Sequence, residues 1–181
     1  DPVETRRLNG RVGPTEFRRL FDRAHGRVLG RYDASVTGYD PFPDSTYARF
    51  PDPSSDPLIP LMTSAVTELT TRRLGWKTEN LYRLLANDVN RAWDWGAAVN
   101  PPESLTQLRE ILALDAKLKL HVAHGLFDLA TPYFASQVLL AQLPDFGRDR
   151  VTLSVHSGGH MFYSRDAGRR ALRAEAEAVM K

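Results

Sequence analysis

Residues 117–124 read KLKLHVAH and residues 151–155 read VTLSV, and these two stretches decide the fold. The first alternates polar and apolar residues before it becomes mostly apolar, and the second is short and rich in β-branched residues, so both predict strands. Between them, Thr131 and Pro132 predict the start of a helix that runs to about Leu143. A strand, a helix and a second strand form a βαβ unit, which predicts parallel strands in one sheet and an α/β fold class.

Apolar residues at helical spacing predict further helices around this unit. They cover residues 13–26, a stretch from residue 57 or 60 to residue 75, residues 79–87, a stretch that begins at Ser104, and residues 165–180. Six prolines between residues 33 and 60 predict a long extended loop. The arginines of the first helix are predicted to form its solvated face.

The composition excludes several classes of protein. With 181 residues, 42% of them hydrophobic, the chain can form a packed core, and the absence of cysteine excludes disulfides and cysteine-based zinc sites. A net charge of +2 is too small to indicate a nucleic-acid or acidic membrane partner, and no apolar run approaches the ~20 residues of a membrane span. The first residues contain neither an initiator Met nor the apolar core of a signal peptide, so we expect a chain trimmed, processed or cut from a longer one.

Two residues that can carry chemistry follow the two predicted strands. Asp128 comes just after the first strand and His160 just after the second, behind the pair Gly158-Gly159. Because ligands bind outside the carboxyl ends of parallel strands, we expect both side chains at one edge of the sheet. An Asp that orients a His is the supporting pair of a nucleophilic hydrolase, and Asp before His matches the α/β-hydrolase chain order. The alternative is that Asp128 caps the nearby helix and that His160 is only a turn residue.

Two longer motifs contain this pair. Residues 124–135, HGLFDLATPYFA, and residues 157–163, SGGHMFY, resemble the C-terminal region of the serine carboxypeptidase family, peptidase family S10, and above all its bacterial carboxypeptidase-related members. Upstream, residues 26–33, GRVLGRYD, and residues 90–96, NRAWDWG, resemble stretches that precede those motifs. The resemblance spans roughly residues 15 to 180.

The resemblance implies the C-terminal part of an α/β-hydrolase fold, with residues 1–96 as a mostly helical cap region containing a Pro-rich loop and residues 97–181 as the α/β segment. It implies Asp128 as triad acid and His160 as triad base in a serine-type peptidase that cuts peptides with a free C-terminus and uses no cofactor. No serine of the chain lies in a Gly-x-Ser-x-Gly motif. We therefore expect the nucleophilic serine on an upstream segment or a partner chain.

Other interpretations stay open beside this one. A metal-dependent hydrolase could use the histidine cluster of the α/β half, although His121 and His124 are an odd number apart on a strand and should point to opposite faces. A non-catalytic α/β binding module is the other alternative. Trp93, Trp95 and Met161 are the predicted substrate-pocket residues, and no residue is predicted as a metal ligand. The sequence leaves the compartment undecided between the bacterial cytoplasm and export.

Overall fold

A computed structural model describes residues 2–44, 51–94, 96 and 103–180. The chain divides into two compact units. The first consists of Asp1–Ser54 together with Ser104–Lys181, and the second of Ser55–Glu103. The candidate site lies in the first unit.

Eight α-helices and four strands are assigned in the described residues. The helices are α1 (Pro2–Arg7), α2 (Pro14–Leu20), α3 (Leu58–Glu68), α4 (Asn87–Ala92), α5 (Leu105–Leu114), α6 (Tyr133–Leu140), α7 (Asp145–Arg148) and α8 (Asp166–Val179). The strands are β1 (Arg27–Leu29), β2 (Thr37–Tyr39), β3 (Leu120–Gly125) and β4 (Val151–His156). Single turns of 3-10 helix occur at Arg23–His25 and Phe162–Ser164, and α3 continues as a π-helical turn over Leu69–Arg73.

Strands β3 and β4 form the parallel pair that the sequence predicts. They run in register, with Leu120 opposite Val151 at one end and Gly125 opposite His156 at the other. The predicted helix between them is α6, which begins one residue later and ends three residues earlier than predicted. The short helix α7, which was not predicted, follows it before β4. Helices α6 and α8 both pack against this sheet. The mixed α/β class is therefore confirmed.

A second small sheet lies in the N-terminal part of the first unit. Strands β1 and β2 pair antiparallel, and Val28 and Leu29 of β1 are among the buried apolar residues of the chain. The prediction of an extended loop over residues 33–60 was therefore wrong at residues 37–39. These residues form β2 because β1 offers its backbone donors and acceptors to them.

Helix α2 packs on β1 with a face that the periodicity did not predict. Arg18, assigned to the solvated face, is only 7% exposed, and its guanidinium Nε donates a 2.8 Å hydrogen bond to the Leu29 carbonyl. A second guanidinium nitrogen lies 3.7 Å from a carboxylate oxygen of Asp52. Phe21, an apolar residue of the predicted helix over residues 13–26, is largely exposed. A buried arginine is tolerated here because its donors meet a carbonyl and a carboxylate.

The second unit departs most from the predicted elements. Helix α3 lies inside the predicted stretch, but the helix predicted over residues 79–87 is absent, and α4 begins only at Asn87. Leu81, which that helix would have needed as an apolar contact, is 88% exposed. Most of the stability of a short helix comes from packing of its apolar face, and within this unit residues 79–86 bury none of their side chains.

The two units do not divide the chain where the resemblance suggested. The predicted boundary at residue 96 places the first 54 residues in a different domain from the α/β segment. In the structure, Asp1–Ser54 and Ser104–Lys181 belong to one unit. Residues 31–34 provide the physical reason, because their backbone forms hydrogen bonds with the turns that follow β3 and β4. Among the described residues, no helix is long and apolar enough to cross a membrane.

The buried arginine of α2 can be tested by unfolding. We expect Arg18→Ala to lower the free energy of unfolding by about 1.5–3 kcal/mol, because it leaves the Leu29 carbonyl without its charged donor. The control is Arg23→Ala, an exposed arginine of the same segment, for which we expect a change within about 0.5 kcal/mol. Urea denaturation of the 181-residue chain measures both. Equal effects of the two substitutions would contradict the role assigned to Arg18.

Candidate active site

The ends of β3 and β4 hold two turns side by side. Gly125 lies opposite His156 at the carboxyl end of the pair, so the two chains leave the sheet together. Beyond this point the pairing continues, since Leu126 N donates to the His156 carbonyl at 2.8 Å and Phe127 N donates to the Gly158 carbonyl at 2.9 Å. The turn containing Asp128 is therefore bonded directly to the turn containing His160.

Glycine is required where these turns meet. A Cβ atom on Gly125 would lie 1.9 Å from the Gly159 carbonyl oxygen, and a Cβ atom on Gly159 would lie 2.0 Å from the Tyr32 carbonyl oxygen. Gly158 has a φ of +136°, which side chains other than hydrogen rarely permit. The pair Gly158-Gly159 thus makes the sharp turn that the sequence predicted, and it does so by letting three backbone segments approach closely.

The Asp128 carboxylate is buried and saturated with donors. Its side chain is only 2% exposed. Oδ1 accepts from Ala130 N at 2.8 Å and from Thr131 N at 3.0 Å. Oδ2 accepts from the Thr131 hydroxyl at 2.6 Å and from His160 Nδ1 at 2.8 Å. A carboxylate held by four donors cannot rotate without breaking several hydrogen bonds, so its position is fixed.

The contact with Asp128 also determines which nitrogen of His160 carries a proton. A carboxylate only accepts hydrogen bonds, so the shared hydrogen belongs to Nδ1 and the neutral ring keeps its lone pair on Nε2. The His160 side chain is 41% exposed, in contrast to its partner. This is the arrangement of a general base: one nitrogen oriented by a buried acid and the other available to a reacting group.

The pKa of Asp128 lies below its ordinary value of 3.8. Burial by itself would raise the pKa, because it disfavours the charged carboxylate. The hydrogen bonds from Thr131, His160 and Ala130 stabilise the charged form and outweigh burial. Asp128 is therefore ionised at neutral pH, as the acid partner of a histidine base has to be.

The structure agrees only in part with the alternative prediction that Asp128 caps α6. Its Oδ1 accepts the backbone N–H groups two and three residues on, as a capping carboxylate does. Those N–H groups precede the helix, however, since α6 starts at Tyr133 and Pro132 is the residue at its N-cap. The carboxylate thus shapes the turn and holds the imidazole at the same time.

Thr131 is the site residue that the sequence analysis misassigned. It was predicted as the N-cap of α6, but its hydroxyl donates to Asp128 and lies 3.3 Å from His160 Nδ1. The spacing Asp-x-x-Thr could have suggested this, because a short polar side chain often bonds groups two or three residues away in a turn.

The three predicted pocket residues have different positions. Met161 directly follows His160 and is half-buried in the first unit. Trp93 directly follows α4 in the second unit and is 60% exposed. Trp95 lies outside the described residues. The assignment of these residues to a substrate pocket stays a prediction.

A second polar cluster ties α8 to one face of the sheet. Glu175 Oε2 accepts from His121 Nε2 at 3.0 Å, from His156 Nε2 at 3.1 Å and from the Ser154 hydroxyl at 3.0 Å. Burial would raise the pKa of Glu175, but the hydrogen bonds from His121, Ser154 and His156 and the electrostatic attraction of His156 lower it below its ordinary value. Glu175 was not predicted from the sequence, because in the Ala- and Arg-rich helix α8 nothing distinguishes it from the other charged residues before the helix packs on the strands.

Histidines of β3 point to opposite faces, as predicted. His121 meets Glu175 of α8, whereas His124 meets α6, with Nδ1 3.2 Å from the Thr131 carbonyl and Nε2 2.9 Å from the Ser136 hydroxyl. Across the described parts of the chain, no group of three or more His, Asp or Glu residues is arranged to hold a metal ion. The metal-dependent alternative therefore receives no support from the described residues.

The lowered pKa of Asp128 gives a test by pH. A carboxyl whose folded pKa lies below its unfolded pKa contributes stability above the unfolded pKa, near 3.8, and loses that contribution as the pH falls through the folded pKa. We expect Asp128→Asn to be less stable than the wild type at pH 7, and the gap to shrink in acid. Urea denaturation at a series of pH values measures the gap.

The control for this series is Asp145→Asn. Asp145 is almost fully exposed, and within the described residues its ion-pair partner is Arg148, three residues away, so its substitution should leave the stability curve nearly unchanged. A gap between wild type and Asp128→Asn that is constant from neutral pH down to about pH 2 would contradict the argument, because it would not follow the ionisation of the carboxyl.

Comparisons with models of protein families, with curated proteins and with solved structures find no match for this chain.

Proposed function

We propose that the chain supplies the acid and the base of a Ser-Asp-His triad in a serine carboxypeptidase-like hydrolase. The 2.8 Å hydrogen bond between buried Asp128 and half-exposed His160, at the carboxyl ends of two parallel strands, is the observation that carries the proposal. On this proposal, the β3–β4 pair with its flanking helices is the C-terminal part of an α/β-hydrolase fold. The mostly helical second unit is proposed as part of its cap.

The proposed reaction is acyl transfer from a peptide with a free C-terminus. His160 Nε2 takes the proton of a serine hydroxyl as the serine oxygen attacks the peptide carbonyl carbon. The same imidazolium then gives that proton to the leaving amine as the peptide bond breaks, and water repeats the sequence on the acyl-enzyme. Asp128 keeps Nδ1 protonated and stabilises the imidazolium through its ionised carboxylate.

The nucleophile is proposed to come from an upstream segment or a partner chain. Two serines in the described residues do contact histidines, namely Ser136 with His124 and Ser154 with His121 and His156. Neither is bonded to His160. His124 is oriented by a backbone carbonyl and not by a carboxylate, so it lacks the charge that would stabilise an imidazolium.

A non-catalytic α/β module is the competing proposal. In that case the buried Asp128 would serve only to shape its turn, and His160 would transfer no proton to or from a substrate. Substitution of His160 in the complete enzyme, the second experiment below, distinguishes the two proposals.

The first experiment treats the 181-residue chain with a fluorophosphonate probe. We expect no labelled serine, because no serine in the part of the chain that the structure describes is placed to pass its proton to His160. A serine hydrolase with an intact triad, treated in parallel, shows that the probe is active. Labelling of Ser136 would contradict the assignment of the nucleophile and would point to Ser136 and His124 as a reactive pair.

The second experiment substitutes the base in the complete enzyme, with its serine-bearing part present. We expect His160→Ala to lower kcat for a blocked dipeptide by at least ~10³, as the removal of a triad member does. The control is His25→Ala, whose ring is mostly exposed and bonds only Asp22 among the described residues. A loss below about tenfold in His160→Ala would show that His160 is not the base.

A further inference from the structure

The first unit contains a segment that contacts both turns of the candidate site. Residues 31–34, which we name the clasp segment, lie between β1 and β2. The Arg31 carbonyl accepts from Leu129 N at 3.0 Å, and Ala34 N donates to the Phe127 carbonyl at 2.9 Å. These two hydrogen bonds lie on either side of Asp128 in the chain. The clasp segment therefore holds the acid turn from outside the βαβ unit.

The same segment holds the base turn through Tyr32. His160 N donates to the Tyr32 carbonyl at 2.6 Å, and the Tyr32 ring meets the imidazole edge-on, with ring centroids 5.5 Å apart and an interplanar angle of 61°. The Tyr32 carbonyl oxygen also lies only 2.0 Å from the position that a Cβ atom on Gly159 would take. Tyr32 thus contacts both the backbone and the side chain of His160.

The clasp segment is itself anchored on both sides. Ser54 Oγ accepts from Tyr32 N and Asp33 N, each at 3.2 Å, and the Asp52 carboxylate accepts from Arg31 N at 3.1 Å. On the other side, a carboxylate oxygen of Asp33 accepts a 3.0 Å hydrogen bond from Arg165. Because its backbone is held on both sides, the clasp segment can act as a fixed support for the His160 side chain, which is 41% exposed.

We propose that Tyr32 is a positioning residue for His160: its carbonyl fixes the backbone of the turn, and its ring keeps the imidazole in the orientation that meets Asp128. A half-exposed imidazole has several rotamers open to it, and only one of them places Nδ1 against Oδ2. In that rotamer the imidazole makes its edge-on contact with the Tyr32 ring, and this contact stabilises the rotamer. The catalytic meaning of this role rests on the proposed function, whereas the positioning itself does not.

The test measures how fast the His160 Nδ1 proton exchanges with water in the 181-residue chain, by NMR with ¹⁵N-labelled histidine. This rate scales with the fraction of time that the imidazole is away from Asp128. We expect Tyr32→Ala to raise the rate about 2- to 12-fold, the equivalent of the about 0.5–1.5 kcal/mol of an edge-to-face ring contact. Tyr32→Phe keeps the ring and should leave the rate unchanged.

Two controls separate local positioning from general loss of structure. The His124 Nδ1 proton, bonded to the Thr131 carbonyl, is read in the same spectra and should not change. Tyr39→Ala removes an exposed tyrosine of β2 and should change neither rate. If Tyr32→Ala speeds exchange at both histidines because the chain loosens, Tyr32→Leu, which keeps an apolar side chain without the ring, replaces it. An unchanged His160 rate in a folded Tyr32→Ala or Tyr32→Leu variant would overturn the proposal.

Measurement of kcat in the complete enzyme distinguishes failure of the positioning role of Tyr32 from failure of the proposed function. If both hold, Tyr32→Ala lowers kcat by a factor similar to its effect on exchange and leaves KM unchanged, because the substrate does not contact Tyr32 on this proposal. If His160→Ala leaves kcat unchanged while Tyr32→Ala still speeds exchange, the proposed function fails and the positioning role stands. If His160→Ala abolishes activity and Tyr32→Ala affects neither exchange nor kcat, the positioning role fails alone.

Discussion

The parallel pairing of β3 with β4 is the interaction on which the candidate site depends. Its register places Gly125 opposite His156, so that the two turns leave the sheet at one point and continue to bond to each other. A shift of one residue would move Asp128 and His160 apart and would turn every side chain of one strand to the other face. The close contact of Gly125 with the Gly159 carbonyl adds a second constraint, because only glycine fits there.

Burial and hydrogen bonding act against each other at the Asp128 carboxylate. Removal of a charge from water is costly, and four donors offset that cost so fully that the pKa falls below its ordinary value. Glu175 shows the same balance on the face of the β3–β4 sheet that α8 covers, where two imidazoles and a hydroxyl meet one carboxylate oxygen. The difference lies in exposure. The His160 side chain is 41% exposed, whereas those of His121 and His156 are mostly buried.

The first 54 residues contribute directly to the construction of the site. The sequence prediction placed them in a cap, yet the clasp segment, which connects the two strands of their hairpin, bonds to both turns of the site. Arg18 contributes to this arrangement indirectly, since it joins α2 to Leu29 of β1 and to Asp52, and Asp52 in turn accepts from the clasp segment. On the proposed function, this part of the chain belongs to the machinery that orients the base.

The sequence alone determined the parallel βαβ unit, the strands near residues 120 and 151, and the meeting of Asp128 with His160. These follow from local alternation of apolar residues and from the rule that parallel strands end at one edge. Only the tertiary structure decided that Arg18 is buried, that residues 37–39 pair with β1, that residues 79–86 form no helix, and that Thr131 and Tyr32 contact the site. The burial of Arg18 and the contact of Tyr32 with the site depend on partners distant in the chain. Helical periodicity reports which residues share a face, but not which surface that face will meet.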